Sequence, residues 1–200
     1  DCPGLITRAV QDLAPLLQVM AGYDAGDPRS RRRRVALDIP DWSPASLRVG
    51  VLGQLPETGA DSAVISAFEQ AVKRATGLFG SAEVLNFAIA ALNVPATRRA
   101  ALLMMEAELL AAHGERLAKA SEPLMSMLSY AQKKSASDFA QADLRLDTHV
   151  VQVRQLFERF DVLLLPVTPV SPPLCSEPEP SNLADFTAVA SLAGCPALSL

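Results

Sequence analysis

Two hundred residues and 21.3 kDa make one domain, or one large piece of a bigger one, and a chain of that mass buries roughly 70 % of its extended surface without staples. Half of the residues are apolar and 20 % are charged, which excludes a disordered tail, while a net charge of −4 argues against nucleic acid as a partner. Three widely separated cysteines, Cys2, Cys175 and Cys195, exclude a disulfide framework and fit the reducing cytoplasm, and no apolar run reaches the ~18 to 20 residues of a membrane span.

The chain opens on Asp1-Cys2-Pro3-Gly4, without an initiator Met or a basic leader, so it reads as one partial domain, residues 1–200, truncated at both ends. Ile6, Val10, Leu13, Leu17 and Met20 recur at steps of four and three, the pattern of an amphipathic helix over residues 6–21. Pro15 conflicts with a helix interior. Either the helix kinks there, or a turn precedes Asp12 and Pro15 falls in the first turn, with Gly22 as the stop. Residues 22–46 read as loop around the basic run Arg29-Ser30-Arg31-Arg32-Arg33-Arg34.

Leu47 to Gly53 has strand character, and Asp61 to Phe79 a helix with Val64, Ile65, Phe68 and Val72 inward, the first half of a βαβ unit. Glu83 to Phe87 is the candidate for the next strand, although Phe87 to Leu92 suits a helix equally. Pro95 opens a long helix whose inward stripe reads as Leu102, Met105, Leu109 and Ala112, with Glu115 and Arg116 outward and Pro123 as the breaker. Phe139, Ala142, Leu146, Val150, Val153, Phe157 and Phe160 then mark a helix with Ser137 as its N-cap. It runs into Asp161-Val-Leu-Leu-Leu-Pro166, a short apolar run typical of a strand buried on both faces. A proline-rich loop to Pro180, a helix over 183–192 and a strand over 197–200 complete an α/β architecture: a mixed β-sheet surrounded by helices.

No catalytic constellation follows from the residues alone. Asp24, Asp27, Asp38 and Asp41 flank the basic run and no aromatic interleaves it, so it reads as a solvated loop. His113 and His149 have no second ligand at i+3 or i+4, and no metal site is expected. No serine sits in G-x-S-x-G, and neither Cys175 nor Cys195 has the cationic or helix N-terminal setting of a reactive thiol. Neither Gly-rich phosphate motif is present, so no cofactor is expected.

Several runs in one order resemble the amidase signature family. They are Asp1 to Asp12 with Leu16 to Asp24; Leu47 to Val51 followed by Ala67 to Val72; Phe160-Asp161-Val-Leu-Leu-Leu-Pro166-Val-Thr168-Pro169; and Phe186-Thr187 through Leu192-Ala193-Gly194-Cys195-Pro196-Ala197-Leu198-Ser199. Leu5, Val189 and Ser191 depart from the family's usual proline, proline and asparagine. The resemblance implies a hydrolase that cleaves a carboxylic amide to the acid and ammonia or an amine through a Lys–Ser–Ser triad. The lysine and the Gly/Ser-rich loop lie upstream of the matched stretch, so no catalytic residue is expected in this chain and the chain alone is expected to be inactive. It would supply the rear of the pocket for a small amide, with Thr168, Pro169, Phe186 and Thr187 as candidates at strand ends. A homodimer or a complementing chain that brings the triad is a possible partner. The competing reading is a non-catalytic interaction module that binds through the helices between Pro95 and Phe160.

Overall fold

The computed structural model describes residues 4–28, 30–32, 43–79, 84–117 and 119–200, without the side chains of 84–88 and 90. Residues 1–43 and 44–200 form two separate units. Cys2, Arg29, residues 33–42 with Arg33 and Arg34 of the basic run, and Glu83 lie outside the described residues.

In the first unit a 3₁₀ turn over Val10–Asp12 leads into α1, Leu13–Met20. Of the two arrangements compatible with Pro15, this is the one with a turn before the helix. Pro15 occupies the first turn, where its missing N–H is no loss. The helix ends where Ala21 turns extended (φ −75°, ψ 131°), one residue before Gly22. The Arg32 guanidinium lies 4.7 Å from the centre of the Tyr23 ring, so this part of the basic run packs on its own loop.

The second unit is built on three strands in the order β2-β1-β3: β1 is Val49–Gly53, β2 is Val84–Ala88 and β3 is Val162–Leu164. Both pairings are parallel, Val49 facing Val84 on one side and Val162 on the other. The expected mixed sheet is therefore corrected, among the described strands, to a parallel one. Helical crossovers join each strand to the next, and such connections return the chain in the same direction. The strand buried on both faces is β1, whose first four residues are all buried. The apolar run after Asp161 makes a half-buried strand instead, because β3 pairs on one side only among the described strands.

Between β1 and β2 runs α2, Ser62–Phe79. Its Val64, Ile65, Phe68 and Val72 are half-buried, as their spacing requires, and Ile65 and Phe68 pack on the core of Leu52, Leu55, Phe160 and Phe186. Helix α3, Val94–Leu117, carries Pro95 in its first turn. Its inward face is Ala100, Leu103, Glu106, Ala107 and Leu110, whereas Leu102 and Met105 are 36 % and 46 % exposed. The expected stripe is rotated because a charged residue sits on the buried face. The Glu106 carboxylate accepts the Ala131 N–H at 3.1 Å, a bond that satisfies it inside the core.

Pro123 starts a helix and does not only break one. It lies in the first turn of α4, Glu122–Gln132, which the spacing did not announce. Helix α5, Ala136–Arg159, is capped by Ser135 and not by Ser137. The Ser135 hydroxyl accepts the Asp138 N–H at 3.2 Å, and Asp138 accepts the Ser135 N–H at 2.8 Å. That reciprocal box needs an acid three residues after the cap, which Ser137 does not have. On α5, Ala142, His149 and Val153 are buried, while Phe157 is exposed and Leu156 takes its place in the packing. The last helix, α6, is Thr187–Ala193, shorter than expected because residues 181–186 form consecutive turns. Gly194 ends it in the left-handed conformation (φ 65°), and residues 195–200 form no strand.

Candidate functional site

Because β1 and β2 are parallel and in register from Val49 and Val84 to Gly53 and Ala88, their carboxyl ends open at one place. There the chain leaves β1 through Gln54 and a 3₁₀ turn, Leu55–Thr58, and leaves β2 through another, Ile89–Leu92. The two turns, the start of α3 and the approach to α6 enclose a cavity of about 270 Å³. Gly53, Gln54, Glu57, Thr58, Ile89, Asn93, Val94, Pro95, Asp185 and Phe186 line it. Carboxyl ends of parallel strands are where open α/β sheets place their ligands.

Two features mark this cavity. Gln54 (φ 56°) and Asn93 (φ 42°) are the non-glycine residues with positive φ among the described residues, and both stand in the cavity wall. A left-handed side-chain-bearing residue costs about 1–3 kcal/mol and persists only where its surroundings hold it, a condition that clusters at ligand sites. Gln54 is held by its carbonyl, which accepts the Glu57 N–H at 3.0 Å. The Asn93 carbonyl accepts the N–H groups of Ala96 and Thr97, each at 3.1 Å.

The second feature is a polar row on α5 that fixes the surrounding segments. Arg145 donates to the Leu92 carbonyl at 2.7 Å, to the Asn93 carbonyl at 3.1 Å and to the buried Thr97 hydroxyl at 3.1 Å. Gln152 donates to the Ala91 carbonyl at 3.0 Å. His149, fully buried between them, donates through Nε2 to the Val189 carbonyl of α6 at 3.1 Å. A carbonyl only accepts, so Nε2 carries the proton. Burial lowers the imidazole's pKa, the bond to Val189 opposes the shift and the nearby Arg145 charge adds to it. One helix face thus anchors both the 91–93 turn and α6. Asp185 faces Arg98 at 3.0 Å, with both side chains largely buried.

Of the four residues expected at the pocket, Phe186 lines the cavity and is 4 % exposed in the core with Leu52, Leu55 and Phe160. Thr168, Pro169 and Thr187 lie outside the lining. Thr168 turns its hydroxyl to the Val170 carbonyl at 2.7 Å, and the carbonyl of buried Pro169 accepts the Asp61 N–H at 2.8 Å, tying the loop after β3 to the start of α2. Exposed Thr187 donates to the Ala184 carbonyl at 3.2 Å. Gln54, Asn93 and Asp185 escaped the sequence reading. The available signals were their places after a strand, in an Asn-tolerant turn, and beside Phe186.

The remaining candidates sit elsewhere. His113 is exposed on α3, Cys175 is exposed, and burial raises the pKa of the half-buried Cys195 thiol. Among the described residues no three His, Cys, Asp or Glu side chains converge to hold a metal, and no described helix is long and apolar enough to cross a membrane.

A family model described as Amidase matches residues 1–200. An amidase of Pseudomonas putida is 30 % identical over 182 residues, covering 85 % of this chain and 37 % of that protein. One subunit of the glutamyl-tRNA(Gln) amidotransferase of Trichodesmium erythraeum (strain IMS101) is 25 % identical over 238 residues, covering all of this chain and 48 % of its own length. The chain thus spans less than half the length of these relatives. Among solved structures, one from a vestigial protein complex bearing on the origins of an s-triazine catabolic enzyme superposes with a TM-score of 0.75 at 25 % identity, over 94 % of this chain and 43 % of that one. A 6-aminohexanoate cyclic dimer hydrolase complexed with substrate shares the fold, with a TM-score of 0.68 at 22 % identity over 94 % of this chain and 45 % of that one.

Proposed function

The chain belongs to the amidase family, and on that premise we propose that residues 44–200 wall the substrate pocket of an enzyme that hydrolyses a small carboxylic amide. The family's chemistry is acyl transfer. A lysine draws a proton through one serine, the second serine attacks the amide carbonyl, ammonia or an amine leaves, and water frees the acid. In this reading these 200 residues contribute the pocket and not the nucleophile, and the 200-residue chain alone turns over no amide. The observation that carries the reading is the cavity at the carboxyl ends of β1 and β2, lined by left-handed Gln54 and Asn93 and by Phe186. An amide carbon chain would lie on Ile89, Val94 and Phe186, while the polar wall meets its polar end.

The test is ammonia release from butyramide and a panel of aryl and ureido amides by the purified 200-residue chain. No turnover is expected. Turnover that disappears on changing a serine of this chain to alanine contradicts the reading.

One observation favours a second role. Leu102 and Met105 lie on an outward face of α3, where a partner chain would cover them. A second copy or a chain bearing the triad is the occupant in that case. Sedimentation velocity of the wild type against a Leu102→Lys, Met105→Lys variant tests it: association lost in the variant supports the face, and identical behaviour counts against it.

A further inference from the structure

Resting on the pocket reading above, we infer that His149 is a positioning residue for the cavity and its pH-sensitive latch. The neutral imidazole holds α6, and with it the Asp185–Phe186 wall, in the shape that takes an amide, and a second ring proton releases it. His149 is fully buried, and it reaches from α5 to the Val189 carbonyl at 3.1 Å. Val153, Ala188 and Val189 pack with Leu92 and Val94, so the bond is made in apolar surroundings. The wall moves with α6. The Ala188 N–H bonds the Ala184 carbonyl at 2.8 Å and the Val189 N–H bonds that of Phe186 at 3.3 Å, and those two turns contain Asp185 and Phe186 of the cavity lining.

The surroundings of the ring suit the neutral form alone. Its Nδ1 is buried and has no hydrogen-bond partner, so protonation there creates a buried N–H without an acceptor. On α5 the charge one turn before the ring is Arg145, a cation tied to the Leu92 and Asn93 carbonyls and the Thr97 hydroxyl. Arg154, further along α5, is exposed and also positive, and exposed Asp147, two residues before the ring, points to the opposite side of the helix. From α3, Arg98 is matched by Asp185 at 3.0 Å, and Glu106 bonds the Ala131 N–H in a different cluster, beside Ala142. Neither α6 nor the 89–92 turn carries a titratable side chain, and burial keeps the Cys195 thiol after α6 neutral. Among the described residues no carboxylate lies within 4.0 Å of the ring. An imidazolium at this place has a guanidinium for a neighbour and no counter-ion, and parting α5 from α6 is what lets water reach it.

The experiment is an NMR titration of the ¹⁵N-labelled 200-residue chain with butyramide between about pH 7.5 and about pH 5, the range in which histidine changes charge. His149→Gln is the test variant, and His113→Gln, at the exposed histidine of α3, is the control. The wild type is expected to bind about tenfold more weakly at the acid end, the effect of excluding one proton from the bound state over one pH unit. His149→Gln keeps a side-chain N–H for Val189 but does not titrate, so its affinity stays within about twofold across the range. His113→Gln keeps the wild-type dependence. The wild type also gives a reading that needs no variant: exchange of the α6 amides, relative to those of β1, accelerates at the pH where the Cε1–H shift of His149 reports protonation. Affinity indifferent to pH, a dependence that survives His149→Gln, or α6 exchange indifferent to the ring's protonation overturns the inference. So does binding that tightens toward pH 5, the sign expected if the buried, unpartnered Oε1 of Gln152 accepts the new N–H. In each of those cases the pocket reading stands, provided butyramide shifts the amides of Ile89 and Asn93. If it shifts neither at any pH, the pocket reading falls and the inference with it.

Discussion

At the amino end of the sheet, Arg48 grips Asp161 through its backbone N–H at 2.8 Å, its Nε at 3.2 Å and its Nη2 at 2.8 Å, while the Asp161 N–H returns a bond to the Arg48 carbonyl at 2.8 Å. The Arg48 guanidinium and N–H hold the Asp161 carboxyl down at about 2. At the carboxyl end the chain takes two left-handed turns and lines a cavity. One end of the same three strands is optimised for stability, and the other gives up stability for shape. Among the described residues the strained non-glycine positions sit at the carboxyl end, which supports the pocket proposed there.

Mutations at the two ends should therefore differ in sign as well as in size. The largest effect is expected at the clamped end. Phe160→Ala empties a side chain that is 1 % exposed in the core, and equilibrium denaturation should report a loss of about 3–5 kcal/mol. Next comes the row on α5. Arg145→Met removes donors to Leu92 and Asn93 and should cost about 1–3 kcal/mol, with faster hydrogen exchange at residues 91–97 than at 49–52. At the cavity end the sign reverses. Gln54→Gly relieves a φ of 56° and should raise stability by about 0.5–1 kcal/mol while weakening butyramide binding, since the wall loses a side chain. A destabilised Gln54→Gly would break the comparison.

The smallest effects lie in pH, and they separate the ends by window. The folded-state pKa of His149 lies below its ordinary 6.5 because burial disfavours the charged form, so the unfolded chain binds more protons below that value. Stability contributed by neutral His149 is present above pH 6.5 and declines as pH falls through the folded pKa. For Asp161 the folded pKa is lowered from 3.8 to about 2, so its contribution is full above pH 4 and is lost on the way to pH 2. Stability measured against pH should thus fall in two stages. His149→Gln flattens the upper one, and Asp161→Asn flattens the lower.

Much of the scaffold was legible in the sequence. The apolar spacing on α2 and α5 gave the helices and most of their inward faces, and the turn before Asp12 was one of the two arrangements allowed by Pro15. The face of α3 was not legible, because apolar spacing cannot register a buried Glu106 whose partner, the Ala131 N–H, lies 25 residues away. The cap of α5 was readable from Ser135 and Asp138 and was assigned to the wrong serine. Of the four residues expected at a pocket, Phe186 is the one that lines this cavity. Positive φ at Gln54 and Asn93 leaves little trace in residue type, and the ion pair of Arg98 with Asp185 joins residues far apart in the chain. A cavity formed where two strand ends meet three turns depends on tertiary packing, which no local pattern carries.

The central claim is that the cavity between the carboxyl ends of β1 and β2 receives the amide. Its most direct test is photolabelling of the 200-residue chain with a diazirine-bearing butyramide, followed by peptide mapping with and without excess butyramide. Labels that butyramide competes away, confined to residues 53–58, 89–95 and 185–186, are the predicted result. Labels concentrated in the proline-rich loop over residues 170–180, or spread along the chain and indifferent to competitor, would contradict it.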